Sequence, residues 1–285
     1  MKTLVLGGSG FIGSAFLKQD LNDDIEIVTR NSALNLFGYK KHIGDIKDKV
    51  FLEKLAKQKF EKVINLAWEG LPNISEELSR FNLEVQLNFI KIFADSGTGQ
   101  FDIAGSCLEY GNFEGKAREI DTGSDLSNFA DAKLQILAFL REQNLNHRWF
   151  RIFYAYGPKQ HSKSLLASAY LSAKHGAKLE VSNSNTSKDF IYVDDVASAI
   201  KKLTSNVSAQ GIFNIGSGVS TNITLMVSKV YAYFGLDFDI TTTDKNGSLI
   251  ADTNRIQEFC DWNPEYTIDR GVEEYIEWAN QERAS

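Results

Sequence analysis

Short apolar runs alternate with amphipathic segments over the first half of the chain. The apolar runs, which we predict to be strands, are TLVLGG (3–8), IEIVTR (25–30), KVINLAW (62–68), FDIAGS (101–106) and RWFRIFYAY (148–156). The amphipathic segments, which we predict to be helices, are SAFLKQDL (14–21), VFLEKLAKQ (50–58), NLEVQLNFIKIFADSG (82–97) and SNFADAKLQILAFL (127–140). Because strands that alternate with helices form βαβ units, the pattern predicts an α/β fold with a doubly wound parallel sheet of the Rossmann type.

The alternation becomes less regular after YGPKQ (156–160). Shorter strands and helices are predicted there, and a terminal helix over IDRGVEEYIEWAN (268–280). We therefore predict a Rossmann domain and a smaller C-terminal α/β substrate-binding domain. The Rossmann domain would comprise residues 1–160 plus about 189–216, and the substrate domain about 161–188 plus 217–285.

Composition narrows the class of protein. The 285 residues carry a formal net charge of −6, which argues against a nucleic-acid-binding protein. The sequence has no apolar run near the roughly 20 residues that span a membrane, and its N-terminal apolar run is too short for a signal peptide. Two cysteines give no disulfide framework, and the four histidines have no metal-ligand spacing. We expect a cytoplasmic protein without a metal site.

Three spaced glycines follow the first predicted strand. Gly7, Gly10 and Gly13 of LVLGGSGFIGSAF stand where a strand turns into a helix. Glycines at this spacing permit a tight turn, a close approach of the backbone to a pyrophosphate, and close packing of helix on strand. The N-terminus of the helix adds NH groups and a positive dipole end. The loop therefore predicts dinucleotide binding.

The end of the second predicted strand bears on the choice of dinucleotide. An acidic residue there would bind the ribose 2′-hydroxyl of NAD, whereas this chain has Arg30. A guanidinium can bind a phosphate through two hydrogen bonds. The residue therefore favours NADP over NAD as the cofactor.

Several motifs in order resemble the extended short-chain dehydrogenase/reductase family, which contains nucleotide-sugar epimerases, dehydratases and ketoreductases. The motifs are GGSGFIG (7–13), GDIKD (44–48), VINLAW (63–68), GSCLEYG (105–111), RIFYAYGP (151–158), KDFIYVDDVASAI (188–200), FNIGSG (213–218) and ADTNRIQEFCDWNP (251–264). The resemblance covers almost the whole chain and implies a nucleoside diphosphate sugar as substrate. The cofactor contacts that it implies, besides Arg30 and Lys133, are Gly7, Ser9, Gly10, Phe11, Ile12, Gly13, Asp45, Ile46, Leu66, Ala67 and Trp68.

The resemblance also implies a catalytic trio with one member altered. The family pairs a tyrosine with a lysine four residues later on one helix, and adds a serine from the preceding strand. Ser106 and Lys133 match the serine and the lysine, but Phe129 stands in the tyrosine position. Residues four apart share a helix face, where the lysine charge would lower the pKa of a phenol. Phe129 keeps the ring and cannot transfer a proton.

Three explanations for the missing hydroxyl remain open. The chain is an engineered Tyr→Phe variant, a binding protein without chemistry, or a natural enzyme whose proton comes from another group. The other groups that we consider are Asp131, Tyr154, Tyr156 and a water held by Ser106.

The branch of the family follows from the residues before the YG pair. The 4,6-dehydratases carry an acidic residue two positions before that tyrosine, where this chain has Leu108, so a dehydratase is not expected. The 3,5-epimerase/reductases place a cysteine in that position, and Cys107 lies one residue earlier. A C4 epimerase and a 4-ketoreductase remain. Arg30 favours the NADPH-dependent 4-ketoreductase.

The substrate side departs from the family pattern. Tyr154 replaces the usual asparagine, and Lys188 and Lys245 stand where arginines commonly neutralise the diphosphate. The resemblance further assigns Glu109 and Tyr110 to the substrate pocket, with Trp68 and Glu69 at its border.

Two predicted helices carry apolar residues on more than one side. In the segment 82–97, Leu83, Leu87, Ile90 and Phe93 lie on one side and Phe89 and Ile92 on another, and the helix near 131–144 is similarly apolar. Such a helix usually packs on a second partner. With the resemblance, this predicts a homodimer built on these two helices.

Overall fold

The computed structural model describes residues 1–19, 21, 24–181, 184, 186–240 and 248–282. Lys245 lies outside them. The strands are β1 Lys2–Leu6, β2 Asp24–Thr29, β3 Lys40–Ile43, β4 Lys62–Asn65, β5 Gln100–Ser106, β6 Gly115–Ala117, β7 His147–Ile152, β8 Tyr154–Tyr156, β9 Ser187–Lys188, β10 Phe190–Tyr192, β11 Gly211–Ile215, β12 Thr221–Asn222 and β13 Leu249–Ala251. The α-helices are α1 Phe11–Leu17, α2 Lys49–Ala56, α3 Glu76–Asp95, α4 Asn128–Glu142, α5 Leu165–Lys174, α6 Val193–Ser205, α7 Ile223–Tyr233, α8 Asn254–Cys260 and α9 Ile268–Glu282. A 3-10 helix, Cys107–Tyr110, follows β5.

The main sheet has seven strands in the order β11-β7-β5-β4-β1-β2-β3. All neighbouring strands in it are parallel. The chain winds in one direction from β1 through β2 to β3, and in the other direction from β4 outward. The predicted doubly wound parallel sheet is confirmed. Such a sheet opens a crevice at the carboxyl ends of its strands where the winding reverses, here beside β1.

Two layers of helices cover the two faces of the sheet, and the side chains of β1 contact both layers. Val5 points into a core with Phe16 of α1 and residues of α6, whereas Leu4 and Leu6 face the opposite core with Phe89 of α3. Successive side chains of a strand alternate between its two faces. Because both faces are covered, the strand is apolar throughout, as is usual in parallel sheets.

A third apolar core lies in the C-terminal part of the chain. Residues of α5, α7 and α9 pack together there, with Tyr156 and Tyr192 from the short strands β8 and β10. The short strands pair as three separate two-stranded sheets, β8-β10, β9-β12 and β6-β13, outside the main sheet. The division into two domains, with its boundaries, stays a prediction.

The helix α3 corrects part of the predicted dimer surface. It begins at Glu76, capped by the side chain of Ser75, rather than near residue 82. Phe89 is fully buried and its ring lies 4.5 Å from that of Phe93, centroid to centroid. Because Phe89 packs on the sheet, it cannot contact a second subunit. Ile92, from the same predicted side, remains partly exposed.

Candidate active site

A cleft of about 840 Å³, including its mouth, opens at the carboxyl ends of β1, β2, β3 and β4. The predicted cofactor contacts that line it are Gly7, Ser9, Gly10, Arg30, Asp45, Ile46, Leu66, Ala67 and Trp68. Further lining residues, from the loops and from α3, include Thr29, Lys47, Glu69, Phe81, Asn82, Val85 and Gln86. Arg30 and residues of the first three motifs therefore meet at the crevice where this topology is expected to bind a ligand, whereas the predicted contact Lys133 is not part of this lining.

The glycine turn leaves no room for a side chain at Gly7 or at Gly13. Gly7 has φ of +75°, and a Cβ atom there would lie 2.7 Å from the backbone of Leu66 and Ala67. A Cβ atom on Gly13 would lie 2.0 Å from the carbonyl oxygen of Gly7. The turn is thus shaped by backbone contacts, and α1 starts directly behind it. This geometry fits the close approach of a dinucleotide pyrophosphate.

Three predicted cofactor contacts from the same loop lie outside the cleft lining. The side chains of Phe11 and Ile12 pack against the core between the sheet and α1 and do not line the cleft. Gly13 is also outside the cleft lining and contacts Gly7 instead. Phe11 and Ile12 are the first two residues of α1, and the first NH groups of a helix have no helical partners, so these two remain available to a ligand.

Four charged side chains form a cluster at the mouth of the cleft. Arg30 Nη1 lies 3.8 Å from Asp45 Oδ2 and 3.7 Å from Glu69 Oε2. Lys47 Nζ lies 3.3 Å and 3.5 Å from the same two oxygen atoms. Glu69, predicted at the border of the sugar pocket, lines the cleft and directs its carboxylate to Arg30 and Lys47. The sequence did not indicate the role of Lys47 in this cluster, since a lysine in a polar loop gives no signal of its own.

Side-chain amides of β4 and α3 hold the loop after β4. Asn65 accepts a hydrogen bond from the NH of Ala67 (3.0 Å) and contacts the side chain of Gln86. Gln86 also donates to the carbonyl of Ala67 (3.0 Å). Asn82 accepts from the NH of Glu69 (2.8 Å) and donates to its carbonyl (3.1 Å). These contacts fix the backbone on both sides of Trp68.

Phe129 and Lys133 lie on one face of α4, one turn apart. The helix is capped by the side chain of Ser127. The ring of Phe129 meets that of Trp68 edge to face, with 5.0 Å between centroids. Lys133 Nζ donates to the carbonyl of Ala104 (2.6 Å) and lies 4.1 Å from the ring centroid of Trp68 and 5.7 Å from that of Phe129.

The environment of Lys133 changes its protonation. The residue is 5% exposed. Burial favours the neutral amine and lowers the pKa of Lys133 to about 7, although the carboxylate of Glu109 opposes the shift. The lysine is therefore a buried group that titrates near neutral pH, as groups at functional sites often do.

Ser106 is the last residue of β5 and is half-buried. Its NH donates to Glu109 Oε1 (2.7 Å), and its hydroxyl oxygen accepts from the NH of Leu108 (3.2 Å). These two contacts cap the 3-10 helix. Because Lys133 binds the carbonyl of Ala104, two residues earlier on β5, the predicted serine and lysine lie at the same end of this strand.

The structure contradicts the assignment of Glu109 and Tyr110 to the substrate pocket. Glu109 is 3% exposed; its carboxylate pairs with Arg151 (2.9 Å) and accepts from the indole NH of Trp149. Tyr110 is fully buried, and its hydroxyl donates to Asn214 Oδ1 (2.7 Å). The 3-10 helix turns both side chains into the core.

Two further predicted substrate residues, Tyr154 and Lys188, do not line the cleft. Lys188 Nζ lies 4.9 Å from the ring centroid of Tyr154, and both residues are partly buried. Lys245 falls outside the described residues.

The three side chains considered as alternative proton donors differ in their exposure to solvent. Burial beside Cys107 raises the pKa of Tyr154 above its ordinary value. Burial and the charge of Asp195 likewise raise the pKa of Tyr156, which is 2% exposed. Asp131 is exposed and accepts a hydrogen bond from Gln135 (2.7 Å) on the outer face of α4. Tyr154 and Tyr156 are therefore weak acids, and Asp131 faces away from Lys133.

Two features are absent from the described part of the chain. None of its helices is long and apolar enough to cross a membrane. Within the same residues, no group of three or more His, Cys, Asp or Glu side chains is arranged to hold a metal ion.

Comparison with known proteins identifies the family. The profile of the NAD dependent epimerase/dehydratase family matches residues 3–216. The chain belongs to this family. It is therefore an oxidoreductase-type enzyme of the extended short-chain dehydrogenase/reductase group, as the motifs indicated.

Individual relatives extend the similarity over the whole chain. The low-salt glycan biosynthesis protein Agl12 of Haloferax volcanii is 24% identical, with 98% of each chain covered. The crystal structure of UDP-glucose 4-epimerase from Thermotoga maritima with UDP-glucose has a TM-score of 0.86 at 22% identity, covering 99% of this chain and 100% of that one. The Bordetella bronchiseptica enzyme WbmG in complex with NAD and UDP has a TM-score of 0.84 at 18% identity, covering 99% and 96%. The two structures support the fold assignment.

Proposed function

We propose that the protein is an NADPH-dependent 4-ketoreductase of a nucleotide-activated deoxysugar. The observation that carries the proposal is Arg30, which lines the cleft where an NAD-specific protein would have a carboxylate. A net reductase consumes NADPH, and a guanidinium favours the additional phosphate of that cofactor. The nucleotide-sugar substrate is supported by the UDP-glucose and UDP in the two similar crystal structures.

The cleft residues fit the cofactor. The turn from Gly7 to Gly13 would hold the pyrophosphate, Asp45 and Ile46 the adenine side, and Leu66 and Ala67 the nicotinamide side. When bound, the cofactor supplies the hydride. Ser106 would bind the sugar oxygen through its hydroxyl, and Lys133 would stabilise the negative charge that develops nearby.

The proton for the sugar oxygen needs a source other than Phe129. Tyr156 is buried, and Asp131 is exposed on the outer face of α4. We assign the proton to a water molecule held by the half-buried hydroxyl of Ser106, because that hydroxyl is the group that would bind the sugar oxygen. Because a positioned acid typically contributes a factor of about 10²–10⁴, turnover would be slow by comparison with a tyrosine-containing relative.

A C4 epimerase is the second candidate. It is favoured by the similarity to UDP-glucose 4-epimerase over the whole chain. Such an enzyme would recycle NAD and show no net use of NADPH. A non-catalytic binding protein is the third possibility, and Phe129 is the residue that favours it.

Three measurements separate the three functions. The purified chain is incubated with NADPH and a dTDP- or UDP-linked 4-keto-6-deoxyhexose, and separately with NAD and UDP-glucose. NADPH loss is followed by absorbance, products by mass spectrometry, and NADP binding by isothermal titration calorimetry. A reductase consumes NADPH in proportion to product. An epimerase interconverts UDP-glucose and UDP-galactose without consuming NADPH. Binding of NADP with neither reaction would indicate the non-catalytic protein. Lys133→Met serves as the inactive control.

The assembly and location belong to the same proposal. A homodimer through α3 and α4 is supported by the partly exposed Leu83, Leu87, Ile92, Leu134 and Phe139. The low cysteine content supports a cytoplasmic location.

A further inference from the structure

The charge cluster at the mouth of the cleft joins opposite walls. Arg30 follows β2 and Lys47 follows β3, whereas Glu69 follows β4 on the far side of β1. Both cations contact one oxygen of Glu69, at 3.7 Å and 3.5 Å. The carboxylate of Glu69 therefore lies between two cations, in the position that an anionic group of a ligand would take.

The two carboxylates of the cluster are held differently. Asp45 belongs to the same loop as Lys47, and its Oδ1 also accepts from the NH of that residue (3.0 Å). The side chain of Glu69 is 42% exposed, and its ion pairs with Arg30 and Lys47 are both longer than 3.4 Å. Its backbone is fixed by Asn82, so only its side chain is free to turn away. Exposed ion pairs of this kind are weak, so a ligand can displace Glu69 at small cost.

Displacement of Glu69 changes the charge of the cleft mouth. With Glu69 in place, two cations and two carboxylates balance. With Glu69 turned outward, Arg30 and Lys47 face the cleft against Asp45 alone, and the site carries a net positive charge. A phosphate monoester group placed there would receive the planar fork of the arginine and the point charge of the lysine.

We propose that Lys47 and Glu69 set the cofactor selectivity of this protein: Lys47 is the second cation for the 2′-phosphate of NADP, and Glu69 occupies its place until the phosphate displaces it. This inference rests on the proposed use of NADP. Lys47 attracts the phosphate. Displacing Glu69 costs free energy when NADP binds, and NAD does not incur this cost because it lacks the phosphate.

The test uses two fragments that differ only in the 2′-phosphate. Binding of 2′,5′-ADP and of 5′-AMP to the full chain is measured by isothermal titration calorimetry for wild type, Lys47→Met and Glu69→Gln. Lys54→Met and Glu53→Gln, at exposed positions of α2 outside the cleft lining, are the matched controls. Circular dichroism verifies that each variant is folded.

Lys47→Met should weaken 2′,5′-ADP binding about tenfold, the effect of one charge-assisted hydrogen bond, and leave 5′-AMP binding within about twofold. Glu69→Gln should strengthen 2′,5′-ADP binding about threefold and leave 5′-AMP unchanged. In the double variant the gain from Glu69→Gln should shrink, because the two residues act on the same phosphate.

Three results would overturn the inference. If Lys47→Met weakened the binding of both fragments equally, Lys47 would contact a part of the nucleotide that the two fragments share. Weaker 5′-AMP binding in Glu69→Gln would mean that Glu69 accepts from ribose hydroxyls, which is an NAD site. Unchanged affinities in both variants would remove both residues from recognition. If the wild type binds neither fragment, the proposed cofactor site itself fails and this inference with it.

Discussion

The ammonium of Lys133 lies over the indole of Trp68, with 4.1 Å between Nζ and the ring centroid. The distance is within the range of a cation–π contact. Trp68 comes from the loop after β4, which the amides of Asn65, Gln86 and Asn82 hold in place, and it also packs on Phe129. Trp68 therefore covers the face of α4 on which the family chemistry depends.

The first prediction concerns the missing hydroxyl. Phe129→Tyr should raise kcat/KM for a 4-keto nucleotide sugar by about 10²–10⁴-fold, because it restores a positioned proton donor. Lys133 Nζ lies 5.7 Å from the centroid of this ring, so its positive charge would lower the pKa of the new phenol. The measurement is steady-state turnover near neutral pH.

The control for that variant is Phe139→Tyr, which adds the same hydroxyl to the same helix ten residues further along. An equal change in both variants, or no gain from Phe129→Tyr with any such substrate, would contradict the catalytic interpretation of α4.

The second prediction is a pH dependence of stability. Burial lowers the pKa of Lys133 to about 7, whereas in the unfolded chain it is near 10.4. Between these values the unfolded state binds more protons than the folded state, so the free energy of unfolding rises with pH through this window. Below pH 7 the buried ammonium is destabilising. The limiting slope for one group is about 1.4 kcal/mol per pH unit.

Lys133→Met should therefore be more stable than wild type at pH 6, and the advantage should decrease as the pH rises to 9. Urea unfolding at each pH measures both proteins, and Lys54→Met shows what removal of a surface lysine does. In the single variant Trp68→Ala, the free energy of unfolding should depend less on pH, since water then reaches the amine of Lys133. A constant difference between Lys133→Met and wild type would disprove the lowered pKa.

The third prediction concerns the buried ion pair beneath Ser106. The side chain of Glu109 is fully buried, and that of Arg151 is 4% exposed. Glu109→Ala would leave the guanidinium without its partner and should lower the free energy of unfolding by about 3–5 kcal/mol. It should also loosen Ser106, whose NH donates to this carboxylate. Denaturant unfolding measures the first effect.

An exposed pair provides the comparison. Glu76 and Arg80 are four residues apart on α3 and largely exposed, so Glu76→Ala should cost about 0.5 kcal/mol or less in ion-pair energy. The double replacement Glu109→Leu with Arg151→Met should be less harmful than Glu109→Ala, because no unpaired charge remains buried. If all three proteins had equal stability, the pair would not be structurally important.

Much of the fold was predictable because the apolar runs of the main sheet are covered on both faces. β3 was missed: its sequence KKHI is polar, as suits an edge strand that faces water on one side. The glycine turn was found since its constraints are local. Glu109 was assigned to the wrong environment because the 3-10 helix after β5 has no period-2 pattern. The role of Lys47 depends on two loops that meet only in the folded chain, so the sequence did not show it.

The last prediction concerns assembly. Phe139 is partly exposed on α4, which packs beside α3, while Phe89 belongs to the core. If these helices form the subunit interface, Phe139→Glu should give monomers at micromolar concentration, because a charge would be buried in an isologous contact twice. Sedimentation velocity measures the state of assembly.

Gln135→Glu adds a charge at an exposed position of the same helix and should remain dimeric. Phe89→Glu should fail to fold rather than dissociate, since it places a carboxylate in the core between α3 and the sheet. A monomeric wild type, or a Phe139→Glu protein that stays dimeric, would show that α3 and α4 do not form the interface. Dissociation of Phe139→Glu alone, with its fold retained by circular dichroism, is the expected outcome.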